Sequence, residues 1–149
     1  MATRSRGPRT LGMIVIVVGA IMVVAGGVTW LVVRDQLVAE NITVSDDADF
    51  LAGDEVDGPF SAYAQAQVIN KHALEATGGK TYAELEQDDP VRGTAMSASF
   101  LRASLFTSVV AFGVALMAAA IGLVFILIGL ALMSVAKATA YVSSTRTEV

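Results

Sequence analysis

Two stretches without a single charged side chain, residues 10–33 and residues 103–136, decide what this chain can fold into. A transmembrane α-helix needs about 20 consecutive apolar residues, rising ~1.5 Å each, to cross a hydrocarbon core roughly 30 Å thick. The first stretch, LGMIVIVVGAIMVVAGGVTWLVV, meets that length over residues 11–33. Its many Val and Ile would favour strands in water. In lipid, an isolated segment must satisfy its own backbone hydrogen bonds, and a helix is the form that does so. The second stretch would measure about 50 Å as a helix at ~1.5 Å per residue, so part of it has to leave the hydrocarbon. Ser104, Thr107 and Ser108 dilute its start. The span is therefore expected near residues 106–135, inside a second transmembrane segment 102–136 whose helix begins outside the membrane, around residues 93–99. Composition agrees with a membrane setting. Of 149 residues 54% are hydrophobic and 16% charged, against about 25% charged in soluble domains.

Charge placement gives a direction. Arg4, Arg6 and Arg9 precede the first span with no acid among them, which puts a basic tail, residues 1–10, in the cytoplasm by the positive-inside rule. Trp30 and Arg34 then suit the far interface. Arg102 falls at the outer interface of the second span, while Lys137, Tyr141 and Arg146 lie beyond its inner end, making residues 137–149 a second cytoplasmic tail. The fold expected is all-α and membrane-bound: two antiparallel transmembrane helices in the plasma membrane, joined by a small, acidic, mostly helical extracytoplasmic cap over residues 34–101. A cleaved signal peptide is the competing reading of the first span, with Val23-Val24-Ala25 as a small-residue cleavage site. The apolar run exceeds the ~7–15 residues of a signal core and continues through Val33, which favours an uncleaved anchor.

Small residues recur every seven positions in both spans: Gly12, Gly19 and Gly26 in the first, Ser108, Ala115, Gly122, Gly129 and Ala136 in the second. Helices in lipid associate through close van der Waals contact, which small residues permit. A seven-residue interval keeps one seam facing a left-handed partner. The two seams are expected to touch each other, or to join copies of the chain in a homo-oligomer. Neither span carries an ionisable side chain, and proton relays and ion pathways normally place such groups within the membrane. Transport by a monomer is disfavoured, whereas a small oligomeric channel lined by Ser and Thr would need several copies.

The middle segment reads as short elements. Ile42-Thr43-Val44 suits an extended piece, and Gly53, Gly58 and Pro59 break the acidic run SDDADFLAGDEVDG into turns. Ala62, Ala66, Ile69 and Ala73 are at helical spacing in residues 61–77, and Gly78-Gly79 is a natural stop. Thr81 and Glu84 match a capping box opening a second short helix over residues 82–89, which Pro90 ends. These elements are too few to enclose a deep core, so the cap is expected to rest on the membrane surface or on a partner.

The chemistry-bearing patterns are incomplete. A Ca²⁺-binding EF-hand loop needs ligands at alternate early positions. Asp47 and Asp49 begin that pattern, and Leu51 breaks it. The remaining carboxylates, Asp46, Asp54, Glu55 and Asp57, read as part of a solvated acidic face. Gly78-Gly79-Lys80-Thr81 lacks the upstream glycine and strand of a phosphate-binding loop, since Leu74 stands where the glycine belongs. Asn41-Ile42-Thr43 has the form of a glycosylation acceptor. His72 is the single histidine and there is no cysteine, so a zinc or non-haem iron site cannot be assembled from imidazole and thiolate within one chain. His72 is expected to pair with Glu75 or Asp88 as a surface contact. No serine sits in the strand-turn-helix elbow of a hydrolytic nucleophile. No catalytic, cofactor-binding or metal-ligating residue is assigned, no cofactor is expected, and the acidic middle disfavours nucleic acid as a partner.

Residues 42–44, 69–85 (INKHALEATGGKTYAEL) and 98–108 (ASFLRASLFTS) carry a likeness. Over roughly residues 42–130 the chain resembles a group of small two-span membrane proteins of high-GC Gram-positive bacteria whose members often bear the label "aromatic ring-opening dioxygenase". That label implies an iron-dependent enzyme or its small helical subunit. An extradiol iron site takes two His and one carboxylate. One His cannot supply this set, so no catalytic residue is carried over, while a non-catalytic subunit escapes the objection. The leading expectation is a non-enzymatic integral membrane protein acting as an accessory or interaction subunit in the cell envelope, in contact with the lipid bilayer and with another membrane or envelope protein.

Overall fold

The computed structural model describes residues 6–145, with side chains over 7–138. The described residues are mostly helical: α1 covers Arg6–Ala39, α2 Pro59–Ala76 and α3 Arg92–Thr145, with a 3₁₀ turn at Tyr82–Glu84. Among the described residues the only β pairing is one antiparallel bridge, Thr43 with Glu55. Both α1 and α3 contain stretches long and apolar enough to cross a membrane.

The long helices overrun their apolar cores. α1 continues through Arg34, Asp35 and Gln36 because nothing there stops it, and it ends where Asn41 takes a left-handed conformation, φ 51°. Asn is one of the few residues that reach this region cheaply. Its N–H donates to Val38 O at 3.0 Å and its side-chain amide to Ala39 O at 3.0 Å, so the last carbonyls of the helix are covered.

α2 starts and stops by local chemistry. Pro59 occupies the first turn, where a missing N–H costs nothing. Ser61 Oγ accepts from the N–H groups of Asp57 and Gly58, each at 3.2 Å. At the other end Gly78 and Gly79 have φ of 65° and 85°. The Gly79 N–H reaches back to Leu74 O at 2.7 Å and that of Gly78 to Glu75 O at 3.4 Å, the two bonds of a Schellman stop.

Residues 82–89 differ from the helix expected there. Only Tyr82–Glu84 is helical, as a 3₁₀ turn, and Leu85 turns extended with ψ 138°. The Arg92 guanidinium accounts for this, since its Nη1 donates to the carbonyl oxygens of Tyr82, Leu85 and Glu86. Those are acceptors that a continuing helix would have used itself. Arg92 also lies over the Tyr82 ring, 4.2 Å from its centre, which holds the loop against the start of α3.

Two compact units result. One joins α1 up to Val28 with α3 from Ala115. The other runs from Thr29 to Val114, so it takes in the last turns of α1 and the first half of α3 as well as everything between them. Its core is Leu37, Val44, Val56, Ala62, Ala64, Ala66, Leu105 and Phe112. α2 contributes three of these only as alanines, too small to fill a core, and the loop before it contributes two valines, so the largest side chains are lent by the long helices. That is why the unit boundary falls inside the apolar stretches instead of at Arg34 and Leu101.

Candidate functional site

Within the long-helix unit most apolar residues of both helices are exposed, and the residues that are buried are small. Gly12, Gly19, Gly26, Ala115, Gly122 and Gly129 are all buried. A Cβ added to Gly12 would lie 2.9 Å from Gly129 O, one on Gly19 2.5 Å from Gly122 O, and one on Gly26 2.5 Å from Ala115 O. At each of these positions one helix backbone therefore touches the other. By contrast a Cβ at Gly27 would meet nothing within 4 Å. Ala119, whose Cβ would stand 3.2 Å from that of an alanine at position 26, joins this contact without belonging to the seven-residue series. Ser108 and Ala136 are half-buried, and Ser108 Oγ bonds its own helix at Ser104 O, 3.4 Å away.

In the other unit, the loop of residues 40–58 is folded on itself and then pinned to α2. Val44 N–H donates to Asp54 O at 2.8 Å, Gly53 N–H to Val44 O at 2.9 Å, and Val56 N–H to Ile42 O at 2.9 Å. Leu51 and Gly53 supply the tight turn, with φ of 56° and 79°. Gln65 Oε1 on α2 accepts from Ser45 N–H at 3.0 Å. Asp47 is the focus of this loop. Its Oδ2 lies 2.8 Å from His72 Nε2 and 3.0 Å from Lys71 Nζ, while its Oδ1 accepts from Ser45 Oγ at 2.8 Å. The hydrogen bonds from His72, then Lys71, then Ser45 hold the Asp47 carboxyl well below the usual carboxylate range. The same carboxylate raises Lys71 above its ordinary value. The His72 partner is thus Asp47, not Glu75 or Asp88, and Asp47, 44% exposed, is a fixed acceptor on the surface. Its partners stand 24 and 25 residues along the chain, beyond any local pattern. Beside this cluster an open groove of about 400 Å³ is lined by Asp47, Asp49, Phe50, Tyr63, Gln67 and Lys71, among others.

The pH dependence follows from Asp47. A carboxyl whose folded pKa is depressed stabilises the folded state above its unfolded value, about 3.9, and that contribution is lost as pH falls towards the folded pKa. The loop should therefore stay pinned at neutral pH and loosen progressively below about pH 4. Asp47→Asn should weaken protection of residues 43–57 at pH 7 and flatten its decline in acid. Amide hydrogen exchange from pH 7 downwards measures both.

The residues expected at membrane interfaces have these places. Trp30 packs edge-on against Phe112, ring centres 4.6 Å apart. Arg34 pairs with Asp57 at 3.0 Å. Arg102 stands with its guanidinium 5.4 Å from the Phe106 ring centre. Lys137 is exposed on α3. The side chains of Arg4, Arg6, Tyr141 and Arg146 lie outside the described residues. Phe60 is 76% exposed, whereas Tyr63 packs against Phe50 and Phe106. Among the described residues no three His, Asp or Glu side chains are grouped to hold a metal ion. Comparison of the chain with protein-family models, curated proteins and solved structures finds no match.

Proposed function

We propose that the chain is a non-enzymatic integral protein of the bacterial plasma membrane. It forms an antiparallel two-helix hairpin with both tails in the cytoplasm, its acidic segment stands outside the cell, and it works as an accessory subunit through contact with another membrane or envelope protein. The observation that carries this reading is that, of the most apolar eighteen consecutive residues in each long helix, only 17% are buried. Side chains such as Ile21, Val24, Leu116 and Leu127 face outward. Water would penalise so large an apolar surface, at about 25 cal/mol per Å², while lipid does not.

The contact order of the glycines supports the hairpin, since Gly12, Gly19 and Gly26 meet Gly129, Gly122 and Ala115 in turn. The likeness of residues 42–130 to small two-span proteins of high-GC Gram-positive bacteria supports the setting. Phe60 and Phe100, each about three-quarters exposed in the unit of residues 29–114, support a contact role, because aromatic side chains are enriched in protein interfaces.

Alkaline carbonate washing of membranes should leave the full chain in the pellet. Protease added outside intact cells should cut within residues 40–58 and spare both tails. Release by carbonate, or tails reachable from outside, would overturn the reading. A photocrosslinking residue at position 60 should then capture a membrane or envelope protein, and capture of lipid alone would remove the contact role.

A further inference from the structure

We infer that a small pocket beside the C-terminal end of α2 holds the phosphate group of an anionic ligand, with Arg102 and Lys80 as the cations that bind it. The pocket measures about 90 Å³, and its polar lining consists of Asn70, Lys80, Thr81, Tyr82, Ser99 and Arg102. At roughly 30 Å³ of liquid per water, this is the space of about three waters, enough for a tetrahedral oxyanion. No carboxylate lines it.

The unusual group in it is Arg102. Its Nε is buried and has no hydrogen-bond partner. Its guanidinium also makes no ion pair, since the ion pairs among the described residues are Arg34 with Asp57 and Asp47 with Lys71 and His72. Buried charged donors are nearly always satisfied, because leaving one unmade forfeits its hydration without return. A guanidinium left open in this way matches the fork geometry of a phosphate or carboxylate. Lys80 makes no ion pair either. Glu84, on which Lys80 acts through space, makes its hydrogen bonds with Thr81 N–H and Oγ, both at 2.8 Å. Two unpaired cations thus face one cavity with hydroxyl and amide donors between them.

The anion can arrive as a lipid headgroup or as a free phosphate. A second, shallower pocket of about 270 Å³ shares Ser99 and Arg102 and adds Ala103 and Phe106. It gives the same guanidinium an apolar neighbour along α3, as a phospholipid would need for its acyl chain. The lipid source rests on the membrane reading above, and the phosphate chemistry does not.

The full chain, purified in a zwitterionic detergent, is titrated by calorimetry with dihexanoyl phosphatidylglycerol and, separately, with inorganic phosphate. Binding of either should weaken about tenfold or more in Arg102→Gln, the loss of a charge-assisted contact. Lys80→Gln should weaken it by less, Arg102→Lys should restore part of it, and Arg9→Gln should change nothing. Ser99→Val, which crowds the pocket without removing a cation, should also weaken binding, and circular dichroism checks that each variant keeps its helices. Tighter binding of the lipid makes the headgroup the source, and equal binding of phosphate makes it a soluble anion. Binding of neither probe, or binding untouched by Arg102→Gln and Ser99→Val, overturns the site. Should carbonate washing release the chain while phosphate still binds, the membrane reading falls and this one stands.

Discussion

Val56→Asp is expected to unfold the segment that connects α1 to α3 while the chain stays in the membrane fraction. Val56 is completely buried, among Val44, Ala62 and Phe112 in the core of the unit of residues 29–114. Its backbone N–H is already committed to Ile42 O, and the residues clustered with its side chain are apolar. An aspartate placed there must either remain charged, at an effective cost of several kcal/mol for a buried unpaired ion, or stay protonated at pH 7 at a comparable expense. A small core of eight buried side chains, three of them alanines, lies near the low end of the 5–15 kcal/mol typical of domains, and cannot absorb that. Val56→Ala sets the scale, because losing two methyl groups should cost about 2 kcal/mol and leave the segment folded. Amide exchange separates the two. Residues 43–57 and α2 should exchange at unprotected rates in Val56→Asp, stay protected in Val56→Ala, and in both cases α1 up to Val28 and α3 from Ala115 should remain slow. Protection retained in Val56→Asp would mean that this core does not hold the segment together.

What was legible in the sequence, and what was not, divides by the range of the interaction. The two long helices were legible because a run without charges is a statement about solvent, and solvent acts on each residue separately. The end of α2 was legible too, since Gly78-Gly79 fixes a backbone conformation that few other residues reach. The share that the long helices take in the core of residues 29–114 was not legible. Trp30, Leu37, Leu105 and Phe112 look like residues of a span or its flank, and only the folded chain brings them over Val44 and Val56. The Asp47 cluster was hidden for the same reason. An aspartate in an acidic run gives no sign that His72 and Lys71 will meet it. The shortened turn at Tyr82–Glu84 depended on Arg92 taking carbonyls that the local capping pattern assigned to a helix. Lys80 and Arg102 stand 22 positions apart by number, on a loop and on α3, and share a pocket only in the folded unit.

Gly19→Leu is expected to separate the two long helices, and Gly27→Leu to leave them together. In lipid there is little hydrophobic drive between helices, because acyl chains are as apolar as leucine, so association rests on contact distance. Dispersion is short-ranged, and a radial gap of only 0.5–1 Å forfeits about a quarter to a half of each contact's attraction. At Gly19 even one added carbon would stand 2.5 Å from Gly122 O and 3.0 Å from Ile126 N. Both are backbone atoms, which no rotamer change can move aside. The helices must then part along the seam, and overpacking of this kind costs typically 1–3 kcal/mol, more where the neighbour is rigid. Gly27 has open space around it, so the same substitution there should stay within about 0.5 kcal/mol. The chain has no cysteine, and Val17 and Leu127 are exposed on α1 and α3, so Val17→Cys and Leu127→Cys accept a pair of spin labels without disturbing the seam. In bilayers the interlabel distance should lengthen and broaden with Gly19→Leu and match the parent with Gly27→Leu. Resistance to unfolding by dodecyl sulfate should fall in the first and hold in the second. Equal behaviour of the two variants would show that the buried glycines are near each other without holding the helices together. In that case the association would have to come from the unit of residues 29–114, and Val56→Asp would separate the helices as well.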